Sequence, residues 1–300
     1  SRGLGDVYKR QVLRTDPKYI EKLTIFKKSV DARKKDDVHF SYTVDVTLGL
    51  DETQVLRRCR SPKAKAAEEY KYTLPVNRRQ SAFRPVVVGF GPAGMFAGLI
   101  LAEAGLRPIV LERGKDIQRR QQDVNAFWQQ HILNEESNVQ FGEGGAGTFS
   151  DGKLTTRIGD ELCGFVTEVF LQHGAPAEIA WKQKPHVGTD LLRGVITSIR
   201  REIEALGGEV HFNTALTGFE QKNGRLTGIF TTGGTFPCEA LVFAVGHSAR
   251  DTFGMLMDGG FVLECKPFSV GFRAEHLQSE IEKSLYHAVS YTHLRAHETV

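Results

Sequence analysis

Short runs of apolar residues mark two predicted buried strands near the middle of the chain. Residues 85–88 read PVVV and residues 108–111 read PIVL, and strands buried on both faces have this β-branched, uninterrupted character. Between them, residues 95–104 form an apolar stretch of helical length that Gly105 closes. A strand, a helix and a second strand in this order predict a βαβ unit with parallel strands.

Two patterns precede this unit. Residues 38–48 alternate between apolar and polar side chains, which predicts a half-buried strand. Upstream, Asp16 and Pro17 are suited to begin a helix, and apolar residues follow at helical spacing at Ile20, Leu23, Phe26 and Val30. We therefore expect a small α/β module before the βαβ unit.

Further helices and strands are predicted after residue 112. The polar stretch 115–130 predicts an exposed helix with its Arg and Gln side chains on the surface, and residues 191–206 predict another helix. Residues 208–242 alternate strand and turn patterns, with Asn223-Gly224 as a strong hairpin signal and Gly233-Gly234 as a second turn. These patterns predict an antiparallel β-meander, which a last strand at 240–245 follows.

The turn after the first buried strand contains Gly89, Gly91 and Gly94 in the spacing G-x-G-x-x-G. In a dinucleotide-binding βαβ unit, the first glycine permits the tight turn, the second lets a pyrophosphate approach, and the third allows close helix packing. The helix N-terminus adds free N–H groups for the phosphates. Glu112 ends the second strand, where an acid bonds a ribose hydroxyl. This carboxylate favours FAD or NAD over NADP.

A second glycine-rich stretch, residues 141–157 (FGEGGAGTFSDGKLTTR), contains five glycines. Such a loop can present backbone N–H groups to an anion or to the edge of a flavin. The alternative is a flexible loop without a ligand, which we disfavour because a mere tether needs no apolar anchors such as Phe141, Phe149 and Leu154.

Composition restricts the remaining choices. The chain has 300 residues, 40% hydrophobic and 25% charged, with a net charge of +3, which fits a globular protein of two domains, or of one domain with an insertion. No apolar run reaches membrane-spanning length. Four scattered cysteines (59, 163, 238 and 265) form no C-x-x-C pair, so we expect reduced thiols, a cytoplasmic location and no metal site. We interpret the basic segment 57–84 as a solvated linker and helix face rather than as a nucleic-acid-binding surface.

Residues 83–251 resemble the FAD-binding core of the glutathione-reductase-like flavoproteins, through the glycine motif, the terminal acid, the meander and a late strand. That strand ends in Ala244-Val245-Gly246, where the superfamily has Ala-Thr-Gly. Residues 31–46, 141–154, 184–190, 244–251 and 266–276 are similar to one bacterial family within it. This family comprises large FAD-dependent dehydrogenases with an extra N-terminal α/β domain.

The resemblance implies one non-covalently bound FAD. The pyrophosphate would be held by Gly89, Gly91, Pro92, Ala93 and Gly94. Glu112 would bond the adenosine ribose, and Leu216 would meet the adenine edge. Four residues of the glycine-rich loop would line the flavin or pyrophosphate, namely Gly144, Gly145, Thr148 and Ser150, whereas Gly246 would approach the ribityl side. Arg113 and Ala244 are further expected cofactor-binding residues.

The electron donor and the catalytic groups are less defined. The chain has no second G-x-G-x-x-G, so NAD(P)H would bind transiently or another donor would serve. Lys153, His247 and Arg250 are candidates for charged groups near the flavin, where a cation stabilises the reduced, anionic form. The alternative for Arg250 is that it pairs with Asp251 or that the two cap a helix.

We therefore expect an α/β fold in which a small α/β domain and linker (12–82) precede a Rossmann-like FAD-binding domain (83–256). This domain has an inserted segment (115–190), and residues 257–288 begin a substrate domain. The predicted function is an FAD-dependent oxidoreductase acting on an unknown small molecule. The alternatives are an FAD-containing RNA-modifying or RNA-binding protein and an NAD-binding dehydrogenase.

Both ends resemble translated sequencing adapters rather than native protein. Residues 1–11 (SRGLGDVYKRQ) and 289–300 (VSYTHLRAHETV) carry this resemblance, and we leave them out of the fold prediction. Members of the resembled family continue beyond residue 288. We therefore expect a truncated fragment that binds FAD weakly.

Overall fold

The computed structural model describes residues 13–34, 37–59, 61–67, 71–74, 81–149, 154, 158, 160–183, 185–267, 271–272 and 274–286. The adapter-like ends, Ser150 and Lys153 lie outside the described residues. In chain order the strands are β1 (Ile20–Asp31), β2 (His39–Leu48), β3 (Val86–Val88), β4 (Ile109–Leu111), β5 (Glu209–His211), β6 (Leu216–Lys222), β7 (Arg225–Thr231), β8 (Gly234–Pro237) and β9 (Leu241–Phe243).

The described residues also form helices. They are α1 (Glu52–Arg58), α2 (Pro92–Glu103), α3 (Ile117–Gln130), α4 (Leu162–Gln172), α5 (Thr189–Ala205), α6 (Arg250–Asp258) and α7 (Gln278–Tyr286), with short 3-10 turns at Pro17–Tyr19, Gly145–Phe149 and Ala177–Ala180. Within the described residues, no helix has the length and apolar character needed to cross a membrane.

The N-terminal region corrects one prediction. The helix expected from residue 16 is wrong: after one 3-10 turn the chain forms β1, which pairs antiparallel with β2. Irregular register between Ile20 and Lys22 and between Ile25 and Lys27 interrupts the alternation of β1. An interrupted period of two mimics helical spacing. The strand at 38–48 is confirmed as β2, although most of its residues are exposed rather than half buried.

The central sheet is parallel throughout, with strand order β5-β4-β3-β9. This order confirms the predicted α/β, Rossmann-like class, because β3 and β4 are joined by α2 as a βαβ unit. All three residues of β3 are buried, as predicted for a strand covered on both faces. Helix α2 begins at Pro92, three residues before the predicted start, since proline is suited to a first helical position.

Glycines let α2 lie directly on the sheet. A Cβ atom on Gly94 would stand 1.8 Å from the Gly89 carbonyl oxygen, and one on Gly98 would stand 3.1 Å from Cγ2 of Val110. Helix α5, which confirms the helix predicted at 191–206, adds Ile199 to the same core. Close packing at these two glycines therefore sets the position of α2 against the central sheet.

The predicted β-meander is confirmed as the antiparallel sheet β6-β7-β8. Its first turn contains Asn223 at φ 54° and Gly224 at φ 73°, and both central residues of a type I′ hairpin turn need positive φ. The second turn joins Thr231 to Gly234. The meander lies in sequence between β5 and β9, so the chain passes through it before returning to the central sheet.

Candidate functional site

A cavity of about 570 Å³ lies at the carboxyl ends of β3 and β9. The chain leaves β3 for β4 on one side of the sheet, whereas β9 pairs on the other side. Such a reversal of strand order opens a crevice, and ligands of α/β proteins bind there. The volume is within the range of about 300–1,000 Å³ that small-molecule and cofactor sites occupy.

The turn from β3 into α2 forms one wall of this cavity. Gly89 has φ 98°, and a Cβ atom there would stand 2.4 Å from the Ala244 carbonyl oxygen, so a larger residue would push β9 away. Gly91 is the N-cap of α2, Pro92 follows as its first residue, and no described side chain caps this helix end. Free N–H groups and the helix dipole at such an end attract an anion.

Glu112 is buried at the end of β4, with 4% of its surface exposed. Its carboxylate accepts three backbone N–H bonds: one from Phe90 at 2.8 Å and one each from Gly114 and Gly142 at 2.9 Å. The side chain thus ties the β3 turn, the β4 turn and the glycine-rich loop together. A carboxylate has about four lone-pair sites, so one acceptor position is left for a ligand hydroxyl.

The glycine-rich loop approaches the N-terminus of α2. Gly142, Gly144 and Gly145 all have positive φ, a conformation that L side chains rarely adopt. The Gly144 N–H donates to the Phe90 carbonyl at 2.8 Å. A Cβ on Gly145 would stand 2.9 Å from Cα of Gly91. Here the two glycine motifs pack backbone to backbone, which only glycine permits.

The predicted helix at 115–130 is confirmed as α3, but Arg120 corrects the expectation that its arginines lie on the surface. Arg120 is fully buried. Burial lowers the pKa of Arg120 to about 10, so the guanidinium stays protonated at neutral pH. Its three nitrogens donate to the carbonyls of Asn138, Glu143 and Gly145 at 2.7–2.9 Å. Arg120 lies three residues after Ile117 and four before Val124, the buried apolar residues of α3, and this helical spacing is the signal that could have indicated its burial.

Glu143 links the same loop to two helices. Its buried carboxylate accepts the Ile117 N–H at the start of α3 at 2.8 Å and pairs with Nε of Arg200 on α5 at 2.7 Å. An acid is favoured at a helix N-terminus, and pairing with Arg200 compensates its burial. The loop is therefore fixed from α3 and from α5.

Arg113, which lines the cavity, pairs with two carboxylates. It donates to Glu136 at 2.8 and 3.0 Å and to Asp251 at 2.9 Å, and its guanidinium stacks on Phe141. These carboxylates raise the pKa of Arg113, and the hydrogen bonds from Arg113 lower the pKa of Asp251. For the alternative in which Arg250 and Asp251 pair or cap a helix, Arg113 rather than Arg250 donates to both Asp251 oxygens, and the two residues are the first two of α6.

Most predicted cofactor-binding positions come together around the cavity. Those that line it are Gly89, Gly91, Pro92, Ala93, Glu112, Arg113, Gly145, Leu216, Ala244 and Gly246. Gly94 and Gly144 lie behind the wall, and Thr148 is fully buried with its hydroxyl donating to the Glu143 carbonyl at 3.0 Å. Thr148 therefore stabilises the loop instead of facing the cavity.

The two described candidates for charged groups near the flavin lie in different places. His247 lines the cavity next to Ser248, whereas Arg250 is exposed at the start of α6 and is not among the lining residues. The sequence reasoning missed lining residues contributed by the chain between α3 and the glycines, such as Gln140, and by α6, such as Thr252 and Phe253. The apolar face of α6 is a signal that could have indicated the lining residues of this helix.

Comparison with known proteins gives one partial match and one long match. Residues 9–47 match a domain of unknown function, DUF8436, and this range includes β1 and all of β2 except Leu48. An uncharacterized protein of Clostridium beijerinckii (strain ATCC 51743 / NCIMB 8052) is 49% identical over 269 residues. This match covers 89% of the chain, and the chain spans about half of the relative's length, 50%.

Solved structures similar to the chain are distant in sequence and match only part of it. Glycine oxidase from Geobacillus kaustophilus matches with TM-score 0.39 and 13% identity, covering 60% of this chain and 59% of that one. THI4 of Thermovibrio ammonificans matches with TM-score 0.38 and 19% identity, covering 60% and 64%. With TM-scores below 0.5 these likenesses carry no argument, and the fold assignment rests on the strand order of the central sheet.

Proposed function

We propose that the chain binds FAD in this cavity and belongs to an FAD-dependent oxidoreductase. The observation that supports this most is the uncapped N-terminus of α2 at the strand-order reversal, reached through Gly89 and Gly91. A pyrophosphate fits this position because backbone N–H groups and the helix dipole meet its charge. The antiparallel meander between β5 and β9 adds support, since the resembled FAD-binding core has one at the same place.

The roles of the lining residues follow from this placement. The pyrophosphate would lie at Gly91 and Ala93, and the adenosine ribose would use the remaining acceptor position of Glu112. Leu216 would adjoin the adenine, and Gly246 the ribityl chain. Towards the flavin, His247 is the described titratable candidate, whereas the roles of Lys153 and Ser150 remain predictions because both lie outside the described residues.

Bound flavin would supply the redox chemistry by accepting a hydride and passing the electrons on. The chain's own residues would bind the dinucleotide, orient it and exclude water from it. NAD(P)H is proposed as a transient donor, and the substrate is a small molecule of unknown identity. No feature of the described residues favours the RNA-related alternative.

The test is the visible spectrum of the purified chain before and after FAD, followed by NADH and NADPH under anaerobic conditions. We expect FAD to bind with a shifted flavin band. Bleaching by one nicotinamide would identify the donor. If NAD(H) binds and FAD does not, the NAD-binding alternative replaces the proposal. If neither binds at 100-fold excess, the proposal fails.

A matched pair of variants locates the site. Gly91→Asp places a carboxylate where the pyrophosphate is proposed, and like charges repel, so FAD binding should weaken by about 100-fold, or about 2.7 kcal/mol. Gly164→Asp makes the same change on α4, where nothing lies within 4 Å of the added Cβ, and should bind FAD as the wild type does. Equal affinity of the two variants would place FAD elsewhere.

A further inference from the structure

We propose that Arg120 is a positioning residue for the cofactor: from behind the cavity wall, it aims the Ala146 N–H at the anion site beside the N-terminus of α2. The proposal rests on the proposed dinucleotide site. Arg120 itself is fully buried and is not a lining residue. It would act only through the loop that it holds.

Arg120 spreads its hydrogen bonds over the loop. Nε donates to the Asn138 carbonyl at 2.9 Å, Nη1 to Glu143 at 2.7 Å and Nη2 to Gly145 at 2.9 Å. The fork geometry of a guanidinium allows three such donors from one side chain, which an ammonium group on a flexible stem does not match. The loop is shaped around this side chain, since a Cβ on Gly142 would stand 2.3 Å from Cδ of Arg120.

The direction of the Ala146 N–H follows from peptide geometry. In a planar trans peptide the carbonyl of one residue and the N–H of the next point in opposite directions. The Glu143–Gly144 peptide illustrates this: its carbonyl accepts from Arg120 and its N–H donates to Phe90 at 2.8 Å. By the same rule, the Gly145–Ala146 peptide turns its carbonyl to Arg120 and its N–H away.

The N–H of Ala146 then points towards the cavity. Gly145 and Ala146 both line it, and Gly145 lies against Gly91 at the start of α2. One loop N–H thus adds to the free N–H groups of the helix end, so a pyrophosphate there would be bound from two chain segments. Without Arg120 the Gly145 carbonyl loses this side-chain donor, and only the 3-10 turn Gly145–Phe149 is left to orient the peptide.

The test uses the full 300-residue chain with Arg120→Met, Arg120→Lys and, as matched control, Arg119→Met. Arg119 is the neighbouring residue on α3 with 70% of its side chain exposed. FAD affinity is measured by flavin fluorescence. In ¹⁵N-labelled protein the Ala146 amide signal is followed during titration with inorganic pyrophosphate, and the Ile229 amide, buried in the meander, reports whether the fold is intact.

We expect Arg120→Met to bind FAD about tenfold more weakly, or about 1.4 kcal/mol, with the Ile229 signal unmoved and the Ala146 signal unresponsive to pyrophosphate. Arg119→Met should behave as wild type. FAD affinity within twofold of wild type, or an Ala146 signal that still responds, overturns the inference. If Arg120→Met moves the Ile229 signal too, Arg120→Lys decides: wild-type FAD affinity in that variant overturns the inference.

The two proposals fail separately. If the wild type does not bind FAD while pyrophosphate moves its Ala146 signal, the FAD proposal fails and the role of Arg120 at an anion site is supported. If the wild type binds FAD and its Ala146 signal is insensitive to pyrophosphate, the role of Arg120 is wrong and the FAD proposal remains.

Discussion

Replacing Glu112 by glutamine tests whether this carboxylate is the tie between three turns. Glutamine keeps the shape but has one acceptor oxygen and one N–H₂ donor. Turned to satisfy Gly114 and Gly142, it would face the Phe90 N–H with its own N–H₂. One buried donor would then lose its partner, and two charge-assisted hydrogen bonds would become neutral ones.

The magnitude follows from these changes. An unsatisfied buried donor costs about 1–3 kcal/mol, and each remaining hydrogen bond weakens by about 1 kcal/mol when its charge is removed. Relief of a buried charge offsets part of this loss. We expect Glu112→Gln to lower the free energy of unfolding by about 3 kcal/mol, which for domains of about 150–250 residues is a fall in Tm of about 6–12 °C.

The assay is thermal unfolding followed by circular dichroism, without added ligand, so that cofactor binding does not contribute. The matched control is Glu136→Gln, which removes the same charge from a carboxylate with 55% exposure and should cost less than about 1 kcal/mol. Melting temperatures of the two variants within 2 °C of each other would refute the structural role of Glu112. Reduced FAD affinity with unchanged melting would instead assign Glu112 to the ligand.

Three further outcomes are expected. Arg113 lowers the pKa of Asp251, so the pair stabilises the fold above the ordinary carboxyl pKa and loses this effect as pH falls through the lowered value. Asp251→Asn should therefore lower the free energy of unfolding by less than about 1 kcal/mol at pH 7. If the difference in stability between wild type and this variant does not become smaller towards pH 3, the pairing is contradicted. Gly94→Ala puts a Cβ 1.8 Å from the Gly89 oxygen and should cost more than about 3 kcal/mol in urea unfolding. In Gly224→Ala the added Cβ meets no atom within 4 Å and only the positive φ is strained, so we expect the free energy of unfolding to fall by about 1 kcal/mol. Losses of similar size in the two glycine variants would argue against close packing of α2.

The parts of the fold that were predictable are those in which neighbouring residues determine the structure. The turn at Gly89 and Gly91 and the hairpin at Asn223-Gly224 each require backbone conformations or approaches that only a few residue types allow. Buried β-branched runs next to them then identify the parallel strands. Local chemistry was sufficient to locate the cavity before any contact was known.

The errors arose where distant atoms decide. Strand β1 carries register irregularities that break its alternation, and only its pairing with β2 shows that it is not a helix. Arg120 reads as an ordinary surface arginine until the carbonyls of the loop surround it. Glu112 was expected to bind a ribose, and the expectation did not include its three N–H donors, since two of these come from other turns.

The position of β9 has a consequence for how the protein is made. Val86 of the first central strand pairs with Leu241, and the residues after β9 complete one wall of the cavity. Closing such a long loop is slow, because chain entropy must be lost before the contact contributes. During synthesis, the part of the site formed by β3 and α2 is therefore completed only after β9 has been made. A dinucleotide that binds as proposed would join only after β9 has paired, and would then stabilise the finished fold rather than guide its assembly.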